Sequence, residues 1–166
     1  MATTVKIPLD LRNPRAASLA GNSWWSIKAL TNIDVGFWEF LKDVDGKIYG
    51  VATAPPSLAA SPAAKIVLLV GANATTGIAR LNVATKCVAD DAESVNVTLT
   101  ADTAQDITMP VTARLGKKVT FSLGDLANIA ANDLVFVEIL HEGSHINDTL
   151  AQNTELYEAW LVVDIP

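Results

Sequence analysis

The sequence predicts an all-β chain folded as one antiparallel β-sandwich, and three observations predict it. Short apolar or alternating segments recur at fairly regular spacing, with turn residues between them. Little helix is expected between these segments, and no internal repeat interrupts them. Half of the 166 residues are hydrophobic, which is ample for a single core in a chain of one-domain length.

About nine strands follow from the pattern. Residues 1–22 lack a clear period and are broken by Pro8 and Pro14. They read as an extended N-terminal arm, with Thr4 to Leu9 extended and a loop after it. The sandwich then occupies residues 23–166. Ser23 to Ile27 and Gly36 to Leu41 read as strands, the latter with Trp38 and Phe40 on one face and Glu39 on the other. Asp45-Gly46 predicts a two-residue hairpin turn, and Lys47 to Ala52 the return strand. An Ala/Ser/Pro loop runs to Ala64.

Lys65 to Ala72 is short and β-branched, so it predicts a central strand buried on both faces. Ile78 to Val88 sets Ala79, Leu81, Val83 and Thr85 against Ile78, Arg80, Asn82 and Ala84, which predicts one buried and one polar face. Residues 90–106 are expected to hold a helical turn near Asp91 and a strand over Val95 to Leu99. Further strands are expected over Ile107 to Ala113, Lys117 to Leu123 and Asp133 to His141, with a short helical turn over Ser122 to Asn128. A polar loop from Glu142 to Asn153 leads into the last strand, Leu156 to Ile165, with Leu156, Glu158, Trp160 and Val162 on one side.

Charge narrows the function classes. The net charge is −6, and Lys117-Lys118 is the only adjacent basic pair, so no stripe suits a phosphate backbone. No nucleic-acid partner is expected. The apolar run Ile66 to Val70 is far too short for a bilayer, and no membrane is expected. The first residues lack the apolar core of a signal peptide, and the three Asn-x-Thr triplets at Asn73, Asn96 and Asn147 read as chance in a Thr-rich β chain. Charged residues make up 18% against a typical ~25%, which points to a surface partly covered by partner subunits.

The order of signals from Lys65 onward resembles jelly-roll-like domains in structural proteins of tailed bacteriophages. An apolar strand ends in Asn73-Ala-Thr75, and a second carries Arg80-Leu-Asn-Val-Ala-Thr85. Then come Asn132-Asp-Leu-Val-Phe-Val-Glu-Ile-Leu-His-Glu-Gly143, Asn147-Asp-Thr-Leu150 and an aromatic strand to the terminus. His141-Glu142-Gly143 stands where that family carries Arg-Asp-Gly. The resemblance implies a virion building block: a capsid decoration protein, a head fibre or a tail-fibre tip. Gly143 suits a tight turn leaving its strand. Asp148 and Thr149 are residue types that bond to loop backbone amides.

His141 and His145 are four apart with Glu142 and Asp148 nearby, but this spacing spans a strand end and a loop. A hydrogen-bonded structural loop of His141, Gly143, Asp148 and Thr149 is the reading, with no metal. Asp43-Val44-Asp45-Gly46 lacks the first ligand of a calcium loop, so a turn is expected. No phosphate loop or nucleophile elbow is present, and Ser144 beside His145 is no catalytic pair. No enzyme activity and no cofactor are expected. Cys87, the single cysteine, reads as a small buried hydrophobe. Trp24 and Trp25 must point to opposite faces of their strand. With Arg12 and Arg15 they are the candidate oligomer or partner interface.

The residues and the resemblance together predict a non-enzymatic virion protein, made in the host cytoplasm and carried on the particle. Its predicted role is a capsid decoration or cement protein, acting as a homotrimer against the major capsid protein or other virion proteins. Two readings stay open beside it. One is a fibre or receptor-binding module whose exposed aromatics hold host glycans. The other is a carbohydrate-active enzyme, which needs two carboxylates about 5–10 Å apart across one cleft.

Overall fold

The computed structural model describes residues 3–12, 23–29, 34–60, 62–89, 98–122 and 124–166. Twelve strands lie in them: β1 (Thr3–Pro8), β2 (Asp10–Arg12), β3 (Ser23–Ala29), β4 (Asp34–Phe40), β5 (Asp45–Thr53), β6 (Lys65–Ala72), β7 (Ile78–Val88), β8 (Thr100–Ala101), β9 (Gln105–Thr108), β10 (Lys117–Phe121), β11 (Leu134–Glu142) and β12 (Thr154–Ile165). A short 3-10 turn, Gly124–Asn128, stands where a helical turn was expected. The first sheet runs β10-β6-β12-β4-β3, with β1 also paired to β12. The second runs β2-β5-β11-β7-β8, with β9 also paired to β7. The described pairs are antiparallel, and the chain is the expected β-sandwich.

Alternation builds the core. In β7, Ala79, Leu81, Val83 and Thr85 are buried, as the pattern required. In β11, Val135, Val137, Ile139 and His141 are buried between half-buried neighbours. From the first sheet Phe40, Leu68, Phe121, Leu156 and Leu161 face them. β6 is buried on both faces at most of its positions, which explains its near-continuous apolar run.

Four expectations need correction. The extended N-terminal segment exists, but residues 3–12 are woven into the sandwich rather than standing apart from it. β1 pairs with β12 from Thr3↔Ile165 to Pro8↔Trp160, and β2 pairs with β5. Leu9 is buried where the chain crosses between sheets, and its N–H donates to the Ala159 carbonyl at 2.9 Å. Residues 13–22, including Arg15, lie outside the described residues.

Asp45-Gly46 is not a hairpin turn. β4 belongs to the first sheet and β5 to the second, so the connection changes sheets. Asp45 and Gly46 are the first residues of β5, opposite Glu142 and His141. Asp43 takes the left-handed conformation instead, at φ 61°.

The strand expected over Ile107 to Ala113 stops at Thr108, just ahead of Pro110, which has no N–H for a ladder. In β12 the register shifts between Leu156 and Glu158, so Tyr157 is an extra residue. Leu156 therefore faces the core while Glu158 is exposed, and the two do not share a side. The turn expected near Asp91 and residues 95–97 of the strand expected over Val95 to Leu99 lie outside the described residues, while Thr98 and Leu99 are described and belong to no strand.

Candidate functional site

The bulge at Tyr157 opens a crevice at one edge of the sandwich. On one flank β12 pairs with β4 only over Thr154 to Leu156, and with β1 only from Trp160 onward. Residues 157–159 lie between these ladders. The gap is about 240 Å³, floored by Leu9, Leu11 and Ala159 and walled by Trp25, Trp38, Tyr157, Glu158 and Trp160. Register explains the aromatic wall. Trp25 lies opposite Trp38 across the β3–β4 ladder, so the two indoles share a face. Their ring centroids are 5.8 Å apart and their planes meet at 71°, which makes an aromatic corner.

Gly36 fixes that corner. Its position lies under the Trp25 ring, and a Cβ there would collide with the six-membered part of the indole. The ring rests on the β4 backbone, yet Trp25 stays 53% exposed. Lys6 sets its ammonium 5.7 Å from the Trp160 ring centroid, a cation–π contact, and Lys6 itself does not line the crevice. The Tyr157 hydroxyl is engaged elsewhere: it donates to Glu155 at 2.6 Å, and its ring meets Phe37 edge-on. Burial, then Glu155, push the Tyr157 phenol well above its usual range.

The residues singled out in the sequence fall into two places. Trp25 is in the crevice. Trp24 lies opposite Glu39 in the ladder, and Arg12 ends β2 opposite Tyr49. His141, Gly143, Asp148 and Thr149 gather at one end of the sandwich. His141 is buried, with Nε2 3.0 Å from Asp148 and 3.2 Å from the Thr154 hydroxyl. Asp148 also accepts from the Arg80 N–H at 2.8 Å and the Leu150 N–H at 3.4 Å. Thr149 accepts from the Ile78 N–H at 3.2 Å. A Cβ at Gly143 would strike the Val44 carbonyl and the His141 ring, so this close approach requires glycine.

Around this knot the Arg80 guanidinium joins Glu142 at 2.7 Å and Asp106 at 2.5 Å. The Arg80 hydrogen bond holds the Asp106 carboxyl below the usual range. Asp45 accepts from the Ser144 N–H at 3.1 Å and its hydroxyl at 2.9 Å. These contacts tie the loop to β7 and β5. Among the described residues no group of three or more His, Cys, Asp or Glu side chains is placed to hold a metal ion.

The same end carries exposed apolar tips. Val111 is 84% exposed and Ile146 89%, with Leu115 also exposed. Their loops flank the turn before β7: Met109 N–H donates to the Gly77 carbonyl, Thr149 N–H to Ile78, and Arg114 N–H to Ala72.

The sequence singled out Trp25, held Trp38 and Trp160 as aromatics and Glu158 as a strand carboxylate, and gave no site role to Gly36 or Tyr157. The signal for Gly36 was a glycine inside a strand pattern beside a Trp-rich strand, which marks a close approach. Nothing local marks the bulge at Tyr157. No helix among the described residues is long and apolar enough to cross a membrane.

No protein-family model matches the chain, and no curated protein matches it. Among solved structures it is similar to a family 35 carbohydrate-binding module from Clostridium thermocellum, at 11% identity over 98% of each chain, with a TM-score of 0.50. It is also similar to a family 11 carbohydrate-binding module from Clostridium thermocellum in complex with a β-1,3-1,4-mixed-linked tetrasaccharide, at 10% identity over 95% of each chain and a TM-score of 0.43. A third is the enzymatically active domain of tailspike protein 4 of bacteriophage CBA120, at 6% identity over 97% of this chain and 19% of that one, with a TM-score of 0.38. At such identities the likeness is one of fold, and the fold is a jelly-roll β-sandwich.

Proposed function

We propose that the chain is a non-enzymatic glycan-binding module on a virion surface, such as part of a fibre, with the aromatic crevice as its binding site. One observation carries this reading: the Trp25 indole rests over Gly36, meets Trp38 edge-on, and remains 53% exposed. Aromatic faces stack on the apolar faces of sugar rings. A platform already fixed before binding loses little side-chain entropy when it is covered. The jelly-roll neighbours that are carbohydrate-binding modules agree with the reading but do not carry it. The virion placement rests on the resemblance of residues 65–166 to phage structural domains.

Titration with a panel of glycans, followed by tryptophan fluorescence, tests the proposal. A sugar contacting one crevice of this size should bind at about millimolar strength, near −4 kcal/mol. Trp25→Ala should abolish the response and lower stability by no more than about 1 kcal/mol, since it removes one aromatic edge contact at a half-exposed site. An unchanged response in Trp25→Ala would overturn the assignment of the site.

A second reading, a decoration or cement protein, is favoured by the exposed Val111, Leu115 and Ile146 at one end of the sandwich. Isolated exposed apolar residues are ordinary, but three on two loops flanking one turn suit a contact with sister copies or a capsid protein. Light scattering tests the trimer that this reading expects. Replacing all three by Ser should leave a monomer and weaken attachment to particles.

A further inference from the structure

We infer that the crevice takes a single neutral pyranose ring and discriminates against acidic sugars, with Glu158 as the residue that sets this choice. The inference rests on the glycan reading proposed above and adds the class of sugar. Two features carry it, size and charge.

The crevice is about 240 Å³, below the about 300–1,000 Å³ of sites that hold drug-sized ligands. The near-perpendicular indoles of Trp25 and Trp38 bound it on two sides, which suits one ring with its face on one indole and its edge toward the other. An extended oligosaccharide stacked along a row would need parallel platforms, and a 71° corner does not offer them.

Among the described lining residues, Glu158 is the only one with a charged side chain, and it is exposed. Its carboxylate accepts hydrogen bonds and donates none, so it matches sugar hydroxyls. It repels a carboxylate on the ring, as in a uronate or a sialate. Tyr157 does not offset this, because its hydroxyl donates to Glu155. Lys6 is not among the lining residues, and its ammonium sits over Trp160. A like-charge contact at a half-exposed rim weakens binding by roughly tenfold.

The test uses the full chain labelled with ¹⁵N and follows the indole N–H signals of the four tryptophans. Methyl glucoside and methyl galactoside are the neutral probes, and methyl glucuronide is the acidic one. The neutral rings should shift the Trp25 and Trp38 signals and saturate, and the glucuronide should bind at least tenfold more weakly. Glu158→Gln should bring the two within about twofold of each other, since the amide removes the repulsion. Gly36→Ala, which pushes the Trp25 ring off its seat, should weaken every probe alike without altering their ratio. Equal binding of neutral and acidic rings by the native chain, or an unchanged ratio in Glu158→Gln, overturns the charge selection while the glycan reading stands. If no probe moves an indole signal even at about 50 mM, a range that detects millimolar binding, the glycan reading fails and takes the selection with it.

Discussion

Asp148 has a side chain only 2% exposed, and its partners lie on β7, on β11 and within its own loop. It accepts from the Arg80 and Leu150 N–H groups and lies 3.0 Å from His141. Asp148→Ala leaves the Arg80 amide and the His141 ring without that acceptor. The expected loss is about 2–3 kcal/mol, read as a shift in the chemical denaturation midpoint. Chelator should leave the native midpoint unmoved, because the tie is between protein groups. The residue types of this loop were legible in the sequence, since Asp and Thr bond to backbone amides. That the amides belong to β7 was not legible: the bonds span 68 and 71 residues. Cys87 gives a second prediction at this scale. Burial, then Asp125 and Asp133, push its thiol up to about 12 from an ordinary 9. At pH 8 the folded protein should react with a disulfide reagent far more slowly than the denaturant-unfolded chain, and equal rates would contradict this.

At the scale of elements, β1 and β2 decide how the sequence should be cut. Thr4 to Leu9 was legible as an extended piece although residues 1–22 carry no clear period. Its partner was not, since β12 lies at the other end of the chain and no local pattern names it. The same reason explains the Asp45-Gly46 correction: a turn dipeptide reports local backbone preference, whereas the choice of sheet follows from the pairing of β5 with β11. The long strands β6 and β7 were legible to the residue because their burial patterns are strong and uninterrupted. Deleting residues 1–9 removes the β1 ladder and the buried Leu9, which seals the floor of the crevice. Burial of Leu9 alone is worth about 1.5–3 kcal/mol. The truncated chain should melt markedly lower than the intact one, and an unchanged melting temperature would show the segment to be a dispensable arm after all.

The whole molecule holds a buried or half-buried weak acid in each sheet, and together these set its behaviour in alkali. In the second sheet the Tyr49 hydroxyl donates to Glu138 at 2.5 Å, and burial, then that carboxylate, push its phenol up to about 12 from 10. In the first sheet Tyr157 donates to Glu155 and is raised in the same sense. Each group keeps its proton longer in the folded chain than in the unfolded one. The stabilisation is therefore complete below the unfolded value, near 9 for the Cys87 thiol and 10 for the phenols. It declines as pH rises through about 12, where the folded Tyr49 ionises and sets a phenolate against a carboxylate. The net charge of −6 works in the same direction, because each new anion adds to an existing excess. The melting temperature should be nearly flat from neutral pH to about 9, then fall steeply above about 10. Tyr49→Phe and Tyr157→Phe should each start about 1 kcal/mol lower at neutral pH, through one lost hydrogen bond. Each should also show a shallower alkaline decline, because one group that ionises preferentially in the unfolded chain is gone. Parallel curves for the native chain and both variants would show that the carboxylate-bound phenols contribute nothing to the alkaline limit.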